Sequence, residues 1–228
     1  MSNLLIYGDG PDSHTGLARI ARDLALISGT LPDFRVGTFG RAAVGSCSLP
    51  FPQYSFGTAD QWGEQHIEKV WSNFTTGSGE GQILTVWDAS RLLWFAGLSS
   101  TGNQQLDTFL GPNRTFAKWG YFMIDGTGPD GQTLPTESRE VLKAYDRVVV
   151  SSNWGADVAR RSGVDCEWIP HPINGEKFMR YSAPVTQSFR NAFDVAGRVV
   201  VGCCMTNQAR KDWQIGRASC RERVYHPV

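Results

Sequence analysis

Residues 145–174 read YDRVVVSSNWGADVARRSGVDCEWIPHPIN, and this stretch decides the fold. Its continuous apolar run predicts a strand over Arg147–Ser151 that is covered on both faces. Ser152 is a good helix-capping residue, and the pattern after it predicts a helix that ends near Gly163. A second strand is predicted at Cys166–Ile169. A strand, a helix and a strand joined by short connections indicate two parallel strands linked by a right-handed crossover.

The same alternation of strands and helices extends to both sides of this stretch. Further strands are predicted at Leu4–Tyr7, Arg35–Phe39, Gln82–Trp87, Lys118–Ile124 and Arg198–Cys203. Helices are predicted from Thr15 to a cap at Gly29, from a capping-box pattern at 58–61 through Phe74, from Asp88 through Leu98, over Thr136–Tyr145 and over Val185–Phe193. We therefore predict an α/β fold with a doubly wound, Rossmann-like parallel sheet.

The composition excludes several classes of function. The chain has 228 residues, of which 22 are basic and 22 acidic, so no net charge attracts nucleic acid or an anionic membrane surface. No apolar run approaches the roughly 18–20 residues of a transmembrane helix. The first residues, MSNLLIYGDG, lack the basic flank and long apolar stretch of a signal peptide. These features predict a cytoplasmic protein without a transmembrane segment, in which the five cysteines are thiols.

The C-terminal residues resemble a sequence that does not belong to the natural protein. Residues 215–224 read IGRASCRERV, which matches one translated frame of a common sequencing adapter. We therefore expect 215–228 to be a non-native tail and the natural protein to continue past Gln214. The other interpretation is a basic, solvated tail, and the nucleotides that encode these ten residues distinguish the two.

The predicted topology brings several polar residues to one edge of the sheet. Parallel sheets bind ligands at the carboxyl ends of their strands, where the loops lie. This edge would carry the loop Gly8–Gly16, Asp88, Asp125 and the segment Ser151–Asn153. Trp154 follows on the same edge, where it could pack in the core or stack against a sugar ring.

The loop GDGPDSHTG, residues 8–16, precedes a predicted helix N-terminus, which carries a partial positive charge that favours phosphate. Ser13 replaces the third glycine of the dinucleotide fingerprint, so the loop is equally compatible with a structural turn and with an anion site.

Signatures of a metal centre are missing from the sequence. It contains no Asp-x-Asp pair, no HExxH and no CxxC, so we expect no metal site. His66 falls on a predicted helix and is interpreted as a surface or partner-satisfied residue.

Three segments, taken in order, resemble glycosyltransferase family 4. The stretch from Tyr145 to Phe178, with its WIPHPIN motif, is similar to the segment that joins the two halves of those enzymes. The segment TGLARIARDLA, which begins at Thr15, resembles the first loop and helix of the family. The segment VVVGCCMTNQARKD, which begins at Val199, resembles the opening of its second domain. Pro172 and Asn174 depart from the glycine and the aspartate of the family's "GID" pattern.

The resemblance implies a GT-B fold, in which two Rossmann-like domains face each other across a cleft. It implies an N-terminal acceptor-side domain at 1–177, an interdomain connection at 178–197 and the start of a truncated donor-binding domain at 198–214. The function that it implies is a metal-independent, retaining transfer of a sugar, without a cofactor, from a nucleotide-sugar donor to an unknown glycan, lipid or small-molecule acceptor. A fragment that ends at 214 would be inactive, because most of the donor site would lie beyond it.

The resemblance also suggests roles for individual residues. Thr15 and Gly16 fall where the family's first loop approaches the donor diphosphate, and Arg210 and Lys211 match the basic pair that neutralises the leaving diphosphate. Asp125 is the catalytic candidate, because it falls near the family's active-site histidine or aspartate, where a carboxylate could contact the transferred sugar or the acceptor. It could equally cap its own loop. Candidates on the acceptor side, by their place on the predicted rim, are His14, Asp88, Ser152, Asn153 and Trp154.

Two other functions remain open at this point. One is a non-catalytic α/β module that binds a nucleotide or phosphate at the Gly8–Gly16 loop. The other is a nucleotide-sugar epimerase on the same GT-B scaffold.

Overall fold

The computed structural model describes residues 1–13, 15–41, 49–57, 59–76, 79–173, 175 and 179–199. The chain divides into two compact units, Met1–Ile173 and Asn174–Val228.

The first unit is built on seven parallel strands. In chain order they are β1 Ser2–Asp9, β2 Phe34–Arg41, β3 Gln53–Phe56, β4 Gly81–Val86, β5 Phe116–Phe122, β6 Arg147–Val150 and β7 Glu167–Trp168. Their spatial order is β3-β2-β1-β4-β5-β6-β7. The order reverses direction between β1 and β4, so the predicted doubly wound parallel sheet is confirmed.

In the described part of the first unit, six α-helices connect these strands. They are α1 Gly16–Ser28, α2 Ile67–Thr75, α3 Leu93–Ala96, α4 Gln104–Leu110, α5 Thr136–Lys143 and α6 Asn153–Arg161, with a short 3-10 helix at Ala89–Arg91. In the second unit, the described residues form one helix, α7 Ala183–Ala192, which has no buried side chain.

Alternate residues of the central strands face opposite sides of the sheet, as the two-residue period of a strand requires. Leu4 and Ile6 of β1 belong to a smaller apolar cluster with residues of α1 such as Ile20. Leu5 and Tyr7 belong to a larger cluster that includes side chains of α2, α3, α5 and α6. Both faces of β1 are therefore buried, as its continuous apolar sequence predicts.

The predicted helix that begins at 58–61 is wrong at its start. The described residues of this segment form turns and bends, and α2 begins only at Ile67. Gly63 has a φ of +79°, which is outside the helical region and interrupts any helix before it. The carboxylate of Asp60 accepts hydrogen bonds from within this loop rather than capping a helix.

The predicted helix from Asp88 through Leu98 is also wrong as a single element. The segment contains the 3-10 helix Ala89–Arg91 and the four-residue α3, separated by Leu92 at φ −117°. Gly97, at φ +81°, ends α3 in the left-handed conformation that favours glycine.

In the second unit, Arg198 and Val199 are not in a strand, and the remainder of the predicted strand to Cys203 lies outside the described residues, as does the tail at 215–228.

Lys118 on β5 is a charged residue in the interior, with 2% of its surface exposed. Its ammonium lies 5.4 Å from the centre of the Phe95 ring. Burial lowers the pKa of Lys118 to about 8, and the nearby charge of Arg114 acts in the same direction. The carboxylate of Asp146 opposes this shift.

Replacing Lys118 by methionine is expected to raise the free energy of unfolding by about 1–3 kcal/mol at pH 7. Below pH 8 the folded protein holds Lys118 protonated in the interior, and this cost is fully present. Between about pH 8 and 10.5 the folded state releases that proton before the unfolded state does, so wild-type stability gains as pH rises. Urea unfolding at pH 7 and pH 10 checks this: the advantage of K118M should shrink at pH 10, and a constant advantage would contradict it.

Candidate functional site

The reversal of strand order between β1 and β4 creates a crevice at the carboxyl edge of the sheet. Adjacent loops leave this point in opposite directions, and open α/β sheets bind ligands there. Asp9 ends β1, and Trp87 follows β4 directly. These two residues, with the start of α1, form what we call the switch-point site: Asp9, Thr15, Gly16 and Trp87.

Asp9 is held in place from two directions. Its Oδ1 accepts a hydrogen bond from Nε1 of Trp87 at 3.1 Å. Its Oδ2 accepts one from the hydroxyl of Thr15 at 2.6 Å. Among the described residues, each carboxylate oxygen has this one partner and retains a second lone pair, because an ionised carboxyl group can accept about four hydrogen bonds. Asp9 is therefore an oriented acceptor at the edge of the sheet.

Thr15 caps α1, as the sequence predicts. Its side chain accepts a hydrogen bond from the backbone N–H of Ala18 at 3.0 Å while it donates to Asp9. Gly16 is the first residue of the helix, and a Cβ placed there would meet nothing within 4 Å. The space beside Gly16 is therefore open to a ligand that contacts the start of α1.

The electrostatics of this site favour hydroxyl groups over phosphate. A helix N-terminus attracts anions through its free N–H groups and dipole. At α1 the carboxylate of Asp9 already stands beside the N-cap residue. A phosphate bound there would meet this negative charge, whereas a hydroxyl group could donate a hydrogen bond to it.

The Trp87 ring packs within a cluster of aromatic side chains. The Trp87 ring is fully buried and makes edge-on contacts with Tyr7 at 4.7 Å and Trp62 at 5.4 Å between ring centres. The Tyr7 hydroxyl donates a hydrogen bond to the backbone carbonyl of Trp62. Burial raises the pKa of Tyr7 well above its ordinary value, so this donor keeps its proton.

Asp88 and Ser152 lie on the carboxyl edge as predicted, and both have local partners. Asp88 forms an ion pair with Arg91 at 3.2 Å, with nearly half of its side chain exposed. The Ser152 hydroxyl accepts a hydrogen bond from the N–H of Gly155 at 3.0 Å and caps α6. This bond gives Ser152 a structural role.

Replacing Ser152 by alanine is expected to lower the free energy of unfolding by about 1 kcal/mol, because the N–H of Gly155 loses its acceptor. Threonine at the same position keeps an acceptor oxygen and should restore most of the loss. Urea denaturation of the three proteins measures the difference, and equal midpoints for S152A and wild type would show that the cap contributes nothing.

Asn153 and Trp154 begin α6, and both are exposed. Trp154 has 49% of its surface accessible, so the core-packing interpretation of this residue is wrong. Its position at the edge remains compatible with contact to an acceptor.

Asp125 lies three residues beyond the end of β5 and is exposed. Its carboxylate makes no hydrogen bond or ion pair with any residue that the structure describes, so loop capping receives no support. His14, Arg210 and Lys211 lie outside the described residues.

A second polar contact at this edge joins β5 to the segment after β7. The Tyr121 hydroxyl lies 3.0 Å from the carbonyl oxygen of Ile169 and 3.0 Å from Nδ1 of His171. Burial raises the pKa of Tyr121 to about 12. Burial and the charge of Arg19 lower the pKa of His171. This contact fixes the end of the first unit to the sheet.

A cavity of about 420 Å³ lies at the opposite, amino-terminal edge of the sheet, lined by Leu142, Lys143, residues 145–148 and residues 163–167. Three of its five charged side chains are paired: Asp146 with Arg114 at 2.7 Å, and Arg147 with Glu167 at 2.7 Å. We assign the candidate site to the carboxyl edge, because parallel sheets bind ligands there and because Asp9 retains free acceptor capacity.

Sequence reasoning did not select Asp9 or Trp87. The sequence contains a signal for each: Asp9 lies between two glycines, and Trp87 immediately precedes Asp88. What the sequence does not show is that β1 and β4 are adjacent in the sheet. This adjacency brings Asp9 and Trp87, which are 78 positions apart, into hydrogen-bond contact.

Three further findings bear on function. Neither a protein-family model nor a curated protein sequence matches this chain. Within the described ranges, no three His, Cys, Asp or Glu side chains are grouped so that they could hold a metal ion. No helix in the described part of the chain has the length and apolar character needed to cross a bilayer.

Proposed function

We propose that this chain is the acceptor-side part of an enzyme that transfers a sugar from a nucleotide-sugar donor to a hydroxyl group of an acceptor. The observation that carries the proposal is the oriented carboxylate of Asp9 beside the open space at Gly16. Carboxylates with free lone pairs bind the hydroxyl groups of sugars through charge-assisted hydrogen bonds. The exposed Trp154 ring would supply a surface on which a sugar can stack.

Thr15 and Gly16 would contact sugar hydroxyl groups of the donor rather than its diphosphate, because Asp9 already places a negative charge beside the start of α1. Arg210 and Lys211 would neutralise the leaving diphosphate, because negative charge builds there in the transition state. Retention of configuration, independence from metal and a cytoplasmic location follow from the resemblance and the composition. Asp125, His14, Asp88 and Asn153 are proposed contacts of the acceptor.

The non-catalytic phosphate-binding alternative is weaker, for an electrostatic reason. Its anion site would coincide with the start of α1, where Asp9 already places a negative charge 2.6 Å from the Thr15 hydroxyl. A phosphate there would have to overcome that repulsion.

We further propose that the natural protein continues past Gln214, so the test uses the gene with the codons that follow Gln214 in the source DNA. The purified protein is incubated with uridine, adenosine, guanosine and thymidine diphosphate sugars, and release of the nucleoside diphosphate is measured with and without EDTA. We expect release from one donor class, unaffected by EDTA and greatly reduced in the 228-residue chain. Tight binding of nucleotide without turnover would favour the phosphate-binding module, and conversion of the sugar while still attached to the nucleotide would favour the epimerase.

A further inference from the structure

The loop between β3 and α2 holds a second arrangement of reactive side chains. Nδ1 of His66 lies 2.7 Å from Oδ2 of Asp60. The same oxygen accepts a hydrogen bond from the backbone N–H of Gln65 at 3.0 Å. The Asp60 side chain is 6% exposed, whereas that of His66 is 48% exposed. We call Asp60 and His66 the loop dyad.

The loop that carries the dyad is fixed against the core of the sheet. A Cβ on Gly63 would lie 2.8 Å from the Phe39 ring and 3.0 Å from the Phe56 ring, so only glycine fits there at φ +79°. The carbonyl of Trp62 accepts the Tyr7 hydroxyl, and the Trp62 ring contacts Trp87. The dyad is therefore preorganised, and the packed rings connect its loop to the switch-point site.

The pairing decides which nitrogen of His66 is reactive. A carboxylate accepts hydrogen bonds, so Nδ1 must carry the proton that it donates to Asp60. The Nε2 lone pair then remains available, and Nε2 makes no hydrogen bond with the described residues. The bond to Asp60 also fixes the orientation of the imidazole ring, as the carboxylate of a catalytic triad does.

A second carboxyl group, that of Glu64, lies in the same loop. Burial and the negative charge of Asp60 raise the pKa of Glu64. Glu64 therefore holds its proton more readily than an exposed glutamate does.

We propose that His66 is the base that accepts the proton of the acceptor hydroxyl and that Asp60 is its positioning residue. This inference rests on the proposed sugar transfer. In the step, the acceptor O–H bond breaks and its proton moves to Nε2 of His66. The acceptor oxygen forms a bond to the anomeric carbon on the face from which the donor phosphate departs, so that configuration is retained, and the bond from that carbon to the donor phosphate breaks. The nucleoside diphosphate leaves with the electron pair, and the proton later passes from His66 to water.

The first experiment reads the dyad without any sugar donor. The probe is p-nitrophenyl acetate, added to the 228-residue chain. Nε2 attacks the acetyl carbon, p-nitrophenolate leaves with the bonding electrons, and water cleaves the acetyl-imidazole to acetate and free imidazole. The variants are H66Q, D60N and the matched control H171Q, whose imidazole pairs with a neutral hydroxyl at 3.0 Å.

We expect H66Q to lose most of the rate above spontaneous hydrolysis, about 10-fold, and H171Q to keep it. D60N should fall between them, because asparagine can supply the same acceptor oxygen without the charge. Nitrogen-15 NMR of the wild-type protein should show His66 as the Nδ1–H tautomer. Equal rates for H66Q and wild type, or an Nε2–H tautomer at His66, would overturn the proposal. Thermal melting of each variant establishes that it is folded.

The second experiment uses the sugar-transfer assay with the natural downstream sequence. H66Q should lower kcat by about 100-fold and leave KM for the donor within about 2-fold. If the wild type transfers sugar and H66Q has the same kcat, the proposed role of His66 is overturned. The proposed sugar transfer would still stand. Absence of transfer in the wild type would count against the proposed function alone, since the ester and NMR results read the dyad independently.

Discussion

Replacing Trp87 by alanine is expected to lower the free energy of unfolding by about 3–5 kcal/mol. The side chain is fully buried between the rings of Tyr7, Phe56 and Trp62, so its removal leaves a large cavity at the centre of the aromatic cluster. It also removes the hydrogen bond from Nε1 to Asp9. Urea denaturation followed by far-UV circular dichroism measures the change without relying on tryptophan fluorescence.

Two companion variants separate the packing of Trp87 from its hydrogen bond. W87F keeps most of the ring contacts and loses the N–H donor, so we expect a smaller cost of about 1–3 kcal/mol. W154A removes an exposed tryptophan and should change stability by less than about 0.5 kcal/mol. Similar midpoints for W87A and W154A would contradict the assigned role of Trp87.

Replacing Asp9 by asparagine should weaken binding of the saccharide acceptor by about 10- to 100-fold. The hydrogen bonds that a carboxylate accepts from ligand hydroxyls contribute about 1.5–3 kcal/mol, and asparagine lacks the charge and half of the acceptor oxygens. The fold should tolerate the change, because an asparagine oxygen can still accept from Trp87. The measurement is the Kd or KM of the best saccharide for D9N and wild type.

The matched control for D9N is D33N. Asp33 is exposed and lies just before β2, at the opposite edge of the sheet. Its substitution removes the same charge from the chain without touching the switch-point site. Equal weakening by both variants would indicate a general charge effect, and unchanged affinity in D9N would remove Asp9 from the site.

The central strands were predictable because their residues are mostly apolar, as is typical of strands buried on both faces. β1, β4, β5 and β6 are apolar runs, and each predicted range overlaps the observed strand. The caps at Thr15 and Ser152 were equally predictable, since each side chain accepts the hydrogen bond expected of a residue at the start of a helix.

The elements missed were those with little buried surface. β3 is a four-residue edge strand in which only Phe56 is buried. α4 buries only Leu106 and Leu110, although Asn103 accepts hydrogen bonds from two backbone N–H groups at its start. A short element with one or two apolar contacts leaves no periodic signal, so its position depends on tertiary packing.

The candidate site was predictable as an edge but not as a set of contacts. Strand alternation alone places Asp88, Asp125 and Ser152 at the carboxyl ends. It does not reveal the hydrogen bond between Trp87 and Asp9 or the one between His66 and Asp60. The first depends on strand order and the second on the turn at Gly63.

Hydrogen–deuterium exchange of the 228-residue chain tests most directly whether the switch-point site binds ligand. The chain is compared alone and with each member of a panel of saccharides and nucleotide sugars. We predict slower exchange in peptides covering residues 9–18 and 85–91 with at least one saccharide-containing ligand. Protection confined to 142–148 and 163–167, around the amino-edge cavity, or no protection with any ligand, would contradict the account.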